Sequence, residues 1–215
     1  MEIVSPDIFR RLSEEAISGS RNIAEESGSI QGILAAVSPY NYSDLEDDLA
    51  GGIYTDKKSI LVILDEITDV GNFGAILRNC SAFGADGVII SKNRSAEASN
   101  RVSKISSGAL EEIKVYCVTN IVSAMNRLKS RGFWIYGTSP GEGEDVKPAD
   151  SISYSFPLAV VFGSEQKGIR RLISENCDML VKITMSGRMQ SLNVSTSSGI
   201  MLYILNQFLL KNKKF

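Results

Sequence analysis

An arginine follows an asparagine and a glycine at a spacing that could keep all three near one loop. The loop begins at Asp65, directly after the apolar run 60–64, and Asn72 and Gly74 stand where it turns into a helical pattern. Arg78 comes four residues after Gly74, which is about one helical turn. A guanidinium at a loop mouth can stabilise a developing oxyanion or hold a phosphate. The alternative is a turn glycine with a solvated arginine.

A second glycine loop follows the apolar run that ends at Phe162. It reads Gly163-Ser-Glu-Gln-Lys-Gly168, but Ile169-Arg170 stand where a phosphate loop requires Lys-Ser/Thr. No GxGxxG follows any predicted strand, so a Rossmann dinucleotide site is unsupported too. The glycines still let a flat ligand approach the backbone closely, and Glu165 favours a cationic ligand over a phosphate. An ordinary tight turn is the alternative.

A third polar loop leads directly into an apolar helix within 183–208. Residues 186–198 are rich in amides and hydroxyls, and the apolar residues that follow have helical spacing. A helix N-terminus offers unpaired N–H donors, and Ser191, Asn193 and Ser195 add side-chain groups there. A helix with redundant N-caps is the alternative.

The segments between these loops have the pattern of an α/β protein. Apolar runs predict six strands, at 60–64, 87–90, 113–118, 132–137, 157–162 and 179–183. Helical patterns separate most of them, the last helix covers 199–210, and 139–155 is a long connection. This order implies a mostly parallel sheet covered on both faces. Ligands bind such sheets beyond the carboxyl ends of the strands, where the polar loops lie.

Composition excludes several classes of site. The chain has no histidine, so Ser-His-Asp and Cys-His pairs and the common histidine-containing metal sites are excluded. Cys80, Cys117 and Cys177 are far apart, which indicates reduced thiols rather than a disulfide frame or a zinc site. There is no signal-peptide pattern and no apolar run of membrane-spanning length. We therefore expect a cytoplasmic protein without a metal.

Charge is distributed unevenly along the chain. Residues 1–50 hold ten Asp/Glu and three Lys/Arg, whereas 51–215 hold fifteen and twenty. The larger part could face a polyanion. Candidates for contact with such a polyanion are Arg94, Arg101, Lys104 and Arg188.

Taken together, the three loops resemble the motifs of a known family. N-x-G-x-x-x-R, F-G-S-E-x-x-G and I-x-M-x-G…S-L-N-V-S occur in order at the ends of predicted strands. They are similar to those of the SpoU (TrmH-like) family, S-adenosylmethionine-dependent RNA ribose 2′-O-methyltransferases of the SPOUT class. The similarity covers roughly 61–208. Asn93-Arg-Ser-Ala and Ser107-Gly-Ala resemble most closely the bacterial 23S ribosomal RNA (guanosine-2′-O-)-methyltransferase branch.

The resemblance implies a fold and a set of site residues. The implied fold contains a C-terminal trefoil knot. The implied assembly is a homodimer in which active-site groups are contributed across the interface. The domains would be 1–50, a partial small α/β unit like an RNA substrate-binding segment, then a linker at 51–58, then the methyltransferase domain at 59–215. The implied catalytic residues are Arg78, Asn72, Glu165, Ser191 and Asn193. The implied S-adenosylmethionine-binding residues are Thr138, Gly163, Ile183, Met185 and Leu192.

The resemblance also implies a reaction. We expect methyl transfer from S-adenosylmethionine to a ribose 2′-hydroxyl of structured RNA, with 23S ribosomal RNA as the first expectation. Thr184 stands where the family usually has proline, and Thr196-Ser-Ser-Gly199 replaces a more apolar run. The alternatives are the same chemistry on tRNA, or a catalytically silent RNA-binding relative. The motif residues that are intact, Arg78, Glu165, Ser191 and Asn193, favour the enzyme.

Overall fold

In the computed structural model the chain divides into two compact units, Met1–Pro39 and Tyr40–Phe215. The structure describes residues 5, 7, 8, 10, 11, 39–54, 58–141, 145–164, 166–189 and 191–211. Most of the first unit lies outside these residues, so its interpretation as part of an RNA-binding segment stays a prediction.

The larger unit is built on a seven-stranded parallel sheet with the strand order β3-β2-β1-β6-β4-β7-β5. The strands are β1 Ile60–Asp65, β2 Gly87–Ser91, β3 Lys114–Val118, β4 Trp134–Thr138, β5 Val146–Pro148, β6 Leu158–Gly163 and β7 Met179–Lys182. The helices in the described part of this unit are α1 Leu45–Ala50, α2 Val70–Phe83, α3 Asn100–Ile105, α4 Ala109–Glu112, α5 Ile121–Ser130, α6 Arg171–Glu175 and α7 Val194–Lys211. The predicted α/β class with a parallel sheet is confirmed.

Strand β1 lies inside the sheet, between β2 and β6, and its side chains are apolar on both faces. Ile60 and Val62 belong to a core cluster on the α2 and α7 side. Leu61 and Ile63 belong to a second cluster, which includes residues of α1 and α5. An unbroken apolar run is typical of a strand buried on both faces, and every residue of β1 is buried.

The segment before β1 packs on the sheet. This differs from the prediction, which placed a domain boundary after residue 50 and a linker at 51–58. Leu45, Leu49 and Tyr54 are buried in the second cluster. The Asp48 carboxylate accepts hydrogen bonds from Lys114 Nζ at 2.7 Å and from the Tyr116 hydroxyl at 2.6 Å. These contacts attach α1 to β3, and the division between units falls before Tyr40 instead.

Two other predictions differ from the structure. The prediction of six strands was one short, because β5 lies inside the supposed connection 139–155 and pairs with β7 at the sheet edge. Helix α7 begins at Val194 rather than at residue 199, so the last five residues of the predicted polar loop are helical. The trefoil knot stays a prediction, since strand order alone does not display it. Among the described helices, none combines the length and the apolar character needed to cross a membrane.

Candidate functional site

A cleft of about 410 Å³ opens at the carboxyl ends of β4, β6 and β7. We call it the β6 cleft. All five residues predicted to bind the cofactor line it, together with the predicted catalytic Ser191; the five are Thr138, Gly163, Ile183, Met185 and Leu192. The structure therefore brings together residues that lie far apart in sequence, as expected for loops at the same edge of a parallel sheet.

The backbone around Gly163 sets the shape of this cleft. A Cβ on Gly163 would lie 2.0 Å from the carbonyl carbon of Gly168, so only glycine fits here. The loop is closed by the Gly168 N–H, which donates to the Ser164 carbonyl at 2.7 Å. Thr138 Oγ1 donates to the Val161 carbonyl at 2.9 Å and ties β4 to β6. The loop is a tight turn, and that turn also forms a wall of the cleft.

A second cavity of about 300 Å³ adjoins the β6 cleft and contains Asn72, so we call it the Asn72 pocket. The two cavities share a wall formed by Ser164, Gln166, Lys167 and Val194. The predicted catalytic Glu165 lies in the same loop but outside the described residues.

Asn72 and Asn193 join the first and third polar loops. Asn193 Nδ2 donates to Asn72 Oδ1 at 3.0 Å. Asn193 Oδ1 accepts from the Ser195 N–H at 2.9 Å, and its carbonyl accepts from the Ser197 N–H at 2.9 Å. Asn193 is thus an N-cap for α7 as well as a partner of Asn72, so the alternative of a capping role is correct and coexists with the contact between loops.

The side chain of Arg78 is exposed on α2 and makes no hydrogen bond or ion pair within the part of the chain that the structure describes. Its helix is held in place by its neighbours. Asn79 Nδ2 donates to the Ser195 carbonyl at 2.8 Å and to Ser198 Oγ at 2.9 Å. A Cβ on Gly74 would lie 2.6 Å from Ile105 Cγ2, so this motif glycine lets α2 approach α3 closely.

A network of carboxylates and arginines at the end of β1 was missed by the sequence analysis. Asp65 is fully buried, and it accepts from the Arg170 N–H at 2.8 Å and from Arg170 Nε at 2.7 Å. Glu66 lies between Arg94, 3.0 Å away, and Arg170, 3.5 Å away. The hydrogen bond from Arg94 lowers the pKa of Glu66 below its usual value. The sequence signal for this network was the pair of acidic residues, Asp65 and Glu66, directly after the apolar run 60–64.

The residues predicted to bind RNA are exposed but dispersed. Arg94 lines the Asn72 pocket. Arg101 and Lys104 lie on α3, and Arg188 lies in the loop after β7; these three do not line the cavities described above. The described residues contain no group of three or more His, Cys, Asp or Glu that could hold a metal ion.

Comparisons of the sequence with known proteins all point to one family. The model of the SpoU rRNA Methylase family matches residues 59–203. YacO of Bacillus subtilis (strain 168), assigned to the TrmH family of tRNA/rRNA methyltransferases, is 39% identical over 177 residues, which cover 82% of this chain and 70% of YacO. The family predicted from the three motifs is therefore confirmed.

Solved structures with the same fold include enzymes that act on two kinds of RNA. The A. aeolicus TrmH/SpoU tRNA modifying enzyme matches with a TM-score of 0.66 and 27% identity over 78% of this chain and 83% of that one. The AdoMet-bound rRNA methyltransferase from Sinorhizobium meliloti matches with a TM-score of 0.69 and 26% identity over 79% of this chain and 62% of that one.

Proposed function

Because the chain belongs to the SpoU rRNA methylase family, we propose that it methylates a ribose 2′-hydroxyl of RNA with S-adenosylmethionine as the donor. Membership of the family supports an S-adenosylmethionine-dependent RNA methyltransferase. We add to this that the acceptor is the ribose 2′-oxygen and that the substrate is ribosomal RNA, with 23S RNA as the first expectation.

The β6 cleft suits the cofactor in size and lining. Its volume of about 410 Å³ lies within the range of small-molecule sites, roughly 300–1,000 Å³. The turn at Gly163 exposes backbone groups to a flat ligand, and Thr138, Ile183, Met185 and Leu192 complete the lining. S-adenosylmethionine, when bound, supplies a methyl group on a sulfonium, which needs no metal for transfer.

The shared wall between the β6 cleft and the Asn72 pocket is the observation that carries the proposal. A donor in the cleft and a nucleotide in the pocket would meet across Ser164, Gln166, Lys167 and Val194. The hydrogen bond from Asn193 to Asn72 fixes the two loops beside this meeting point. In our proposal Asn72, Glu165, Ser191 and Asn193 position the ribose.

Arg78 supplies the charge that this reaction needs. The 2′-oxygen forms a bond to the methyl carbon as the carbon–sulfur bond breaks, and the hydroxyl proton leaves to a base or water. Negative charge develops on the oxygen, and a guanidinium stabilises it and holds the adjacent phosphate. The high pKa of arginine makes Arg78 an electrostatic stabiliser rather than the base.

The test is methyl transfer by the purified chain to RNA that lacks the modification. Radiolabelled S-adenosylmethionine is incubated with ribosomal RNA and with tRNA from a deletion strain, and the products are hydrolysed in alkali. A 2′-O-methyl group blocks cleavage at its own linkage, so label in alkali-resistant dinucleotides of 23S RNA is the expected result. Label in tRNA alone supports the alternative substrate. Label on a base contradicts the 2′-oxygen, and cofactor binding without transfer to either RNA supports a silent relative.

A homodimer is part of the same proposal. Helix α7 exposes 52% of Tyr203 and 47% of Leu210, which is more apolar surface than the subunit itself covers. Leu205 on the same helix is fully buried within the subunit, so substitution there would disturb folding. We expect sedimentation of the parent to give a dimer at micromolar concentration and Tyr203→Glu to give monomers with unchanged circular dichroism. A monomeric parent contradicts this part.

A further inference from the structure

A third cavity lies at the carboxyl ends of β1, β2 and β3, beside the Asn72 pocket. Its volume is about 550 Å³, and we call it the arginine pocket. Three arginines line it, Arg94, Arg170 and Arg171, with the apolar side chains of Ile121 and Leu172 and the amide of Asn120. It therefore offers both cations and apolar surface.

The three cavities follow one another along the edge of the sheet. Glu66 and Arg94 line both the arginine pocket and the Asn72 pocket, and the Asn72 pocket shares its other wall with the β6 cleft. A chain of nucleotides with one residue in the Asn72 pocket can extend into the arginine pocket.

The ion pairs in the arginine pocket allow Arg94 to change partner. Arg94 is 73% exposed and contacts Glu66, which is also held by Arg170. Arg170 in turn is fixed by the fully buried Asp65. If Arg94 moves from Glu66 to a phosphate, Glu66 keeps its contact with Arg170, which it then shares with Asp65. The guanidinium of Arg94 is 73% exposed, and ion pairs of exposed side chains contribute little energy, so Arg94 can be drawn from this pair to a phosphate.

The backbone of this cavity is strained at the same two residues. Glu66 has a φ of 58° and Arg94 a φ of 57°, values that residues other than glycine adopt uncommonly. Strain of this kind concentrates at functional sites. It holds the two oppositely charged side chains at the wall shared with the Asn72 pocket.

Apolar surface in the cavity distinguishes a base from a bare phosphate. Leu172 is 65% exposed and stands beside Arg171, which is 86% exposed. The edges and faces of bases are accessible to such side chains in single-stranded RNA, whereas a duplex keeps its bases stacked and paired. The combination fits an unpaired nucleotide better than it fits a duplex backbone.

We propose that the arginine pocket binds an unpaired nucleotide that neighbours the methylated one in the same RNA strand. Arg94 and Arg171 contact its phosphates, and Leu172 contacts its base. The proposal rests on the proposed function, because it takes the Asn72 pocket as the site of the target ribose.

The test compares single-stranded and duplex RNA with the full chain. The probe is a fluorescently labelled 12-nucleotide RNA of mixed sequence, alone or annealed to its complement, and binding is followed by anisotropy over a range of salt concentrations. Leu172→Ser should weaken binding of the single strand about five- to tenfold, on the scale of losing one apolar contact, and leave the duplex unaffected. Arg171→Ala should reduce the salt slope for the single strand by about 0.7, the value for one lost phosphate contact.

Arg131→Ala is the matched control, because Arg131 is exposed at the amino end of β4, opposite the cavities. It should change neither affinity nor slope by a comparable amount. The pocket is wrong if Leu172→Ser and Arg171→Ala behave like Arg131→Ala, if they weaken single strand and duplex equally, or if the parent does not bind the single strand at low salt. Failure of the proposed function is read separately, as absent methyl transfer by the parent.

Discussion

The β6 cleft and the Asn72 pocket are neighbours, but they are held together in different ways. The cleft is shaped by backbone: Gly163 admits no Cβ, and the turn closes through a backbone hydrogen bond from Gly168 to Ser164. The Asn72 side depends on side chains from distant parts of the chain, such as the Asn193–Asn72 hydrogen bond and the Glu66–Arg94 ion pair. The cleft should therefore resist side-chain changes that would impair the pocket.

The same contrast separates binding from catalysis. A small molecule held by backbone groups needs only a fixed turn, whereas a developing charge needs a cation at one position. Arg78 is on α2, outside the residues that line the cleft. Substitutions on the two sides should then affect different kinetic constants.

The largest effect is expected for Arg78→Ala. Turnover should fall about 10²-fold or more, the scale for losing one stabiliser of an oxyanion, while cofactor affinity stays unchanged. Arg78→Lys should recover little, because an ammonium lacks the planar two-pronged contact. Single-turnover methyl transfer with saturating RNA measures the first effect, and calorimetry measures the second. A parent-like rate for the alanine variant would leave Arg78 as a solvated helix residue.

The converse effect is expected for Gly163→Ala. The added Cβ would lie 2.0 Å from Gly168, so the turn must shift, and overpacking of this kind costs about 1–3 kcal/mol. Cofactor affinity should fall about tenfold or more. Calorimetry measures the loss, with Gly187→Ala as the control, since a Cβ there meets nothing within 4 Å. Equal cofactor affinities for the two variants would contradict the claim that the backbone at Gly163 shapes the cleft.

A smaller effect is expected for Asn79→Ala, which removes the hydrogen bonds that hold α2 to the start of α7. We expect a loss of about 1–2 kcal/mol of unfolding free energy and a fall in turnover of about three- to tenfold. Asn206→Ala is the control, because Asn206 Nδ2 donates to the Phe83 carbonyl at the other end of the same helix pair. The control should lose stability but keep turnover. Equal turnover in both variants contradicts a positioning role for Asn79.

The smallest effect on function is expected for Asp48→Asn, far from both cavities. Burial raises the pKa of Asp48, but the hydrogen bonds from Lys114 and Tyr116 and the charge of Lys114 together outweigh it and hold the pKa below its usual 3.8. A lowered pKa in the folded state contributes stability above pH 3.8 that is lost as the pH falls further. Denaturant unfolding should show the variant about 1–2 kcal/mol less stable at pH 7 and the difference shrinking below pH 4. A constant difference across this range contradicts the role of charge.

The parts of the fold that sequence predicted are those with a strong local signal. The strands β1 and β6 are uninterrupted apolar runs, and the parallel arrangement then places their loops at one edge. Strand β5 has no such signal, because Val146-Lys-Pro148 is short and contains a proline. Its pairing with β7 depends on a partner more than thirty residues away.

The start of α7 shows why the site was predicted only in part. Serines and a threonine at 195–198 are weak helix formers, because their side chains compete for backbone hydrogen bonds. In the structure the Asn79 amide bonds to both Ser195 and Ser198, across an interval of more than a hundred residues. The Asp65–Arg170 pair likewise joins residues more than a hundred positions apart. Sequence patterns report periodicity and local spacing, whereas such pairs exist only once the fold has formed.

The position of β1 in the sheet also governs the order in which the chain can acquire its structure. Ile60 pairs with Leu158 across the sheet, and pairings so distant in sequence slow folding. While the chain is being synthesised, β1 can pair with β2 long before β6 has emerged. Its other edge, a row of unpaired backbone N–H and C=O groups between two apolar faces, is then open to strands of other molecules. Nascent chains that stop before residue 158 should therefore be substrates for chaperones and prone to aggregate.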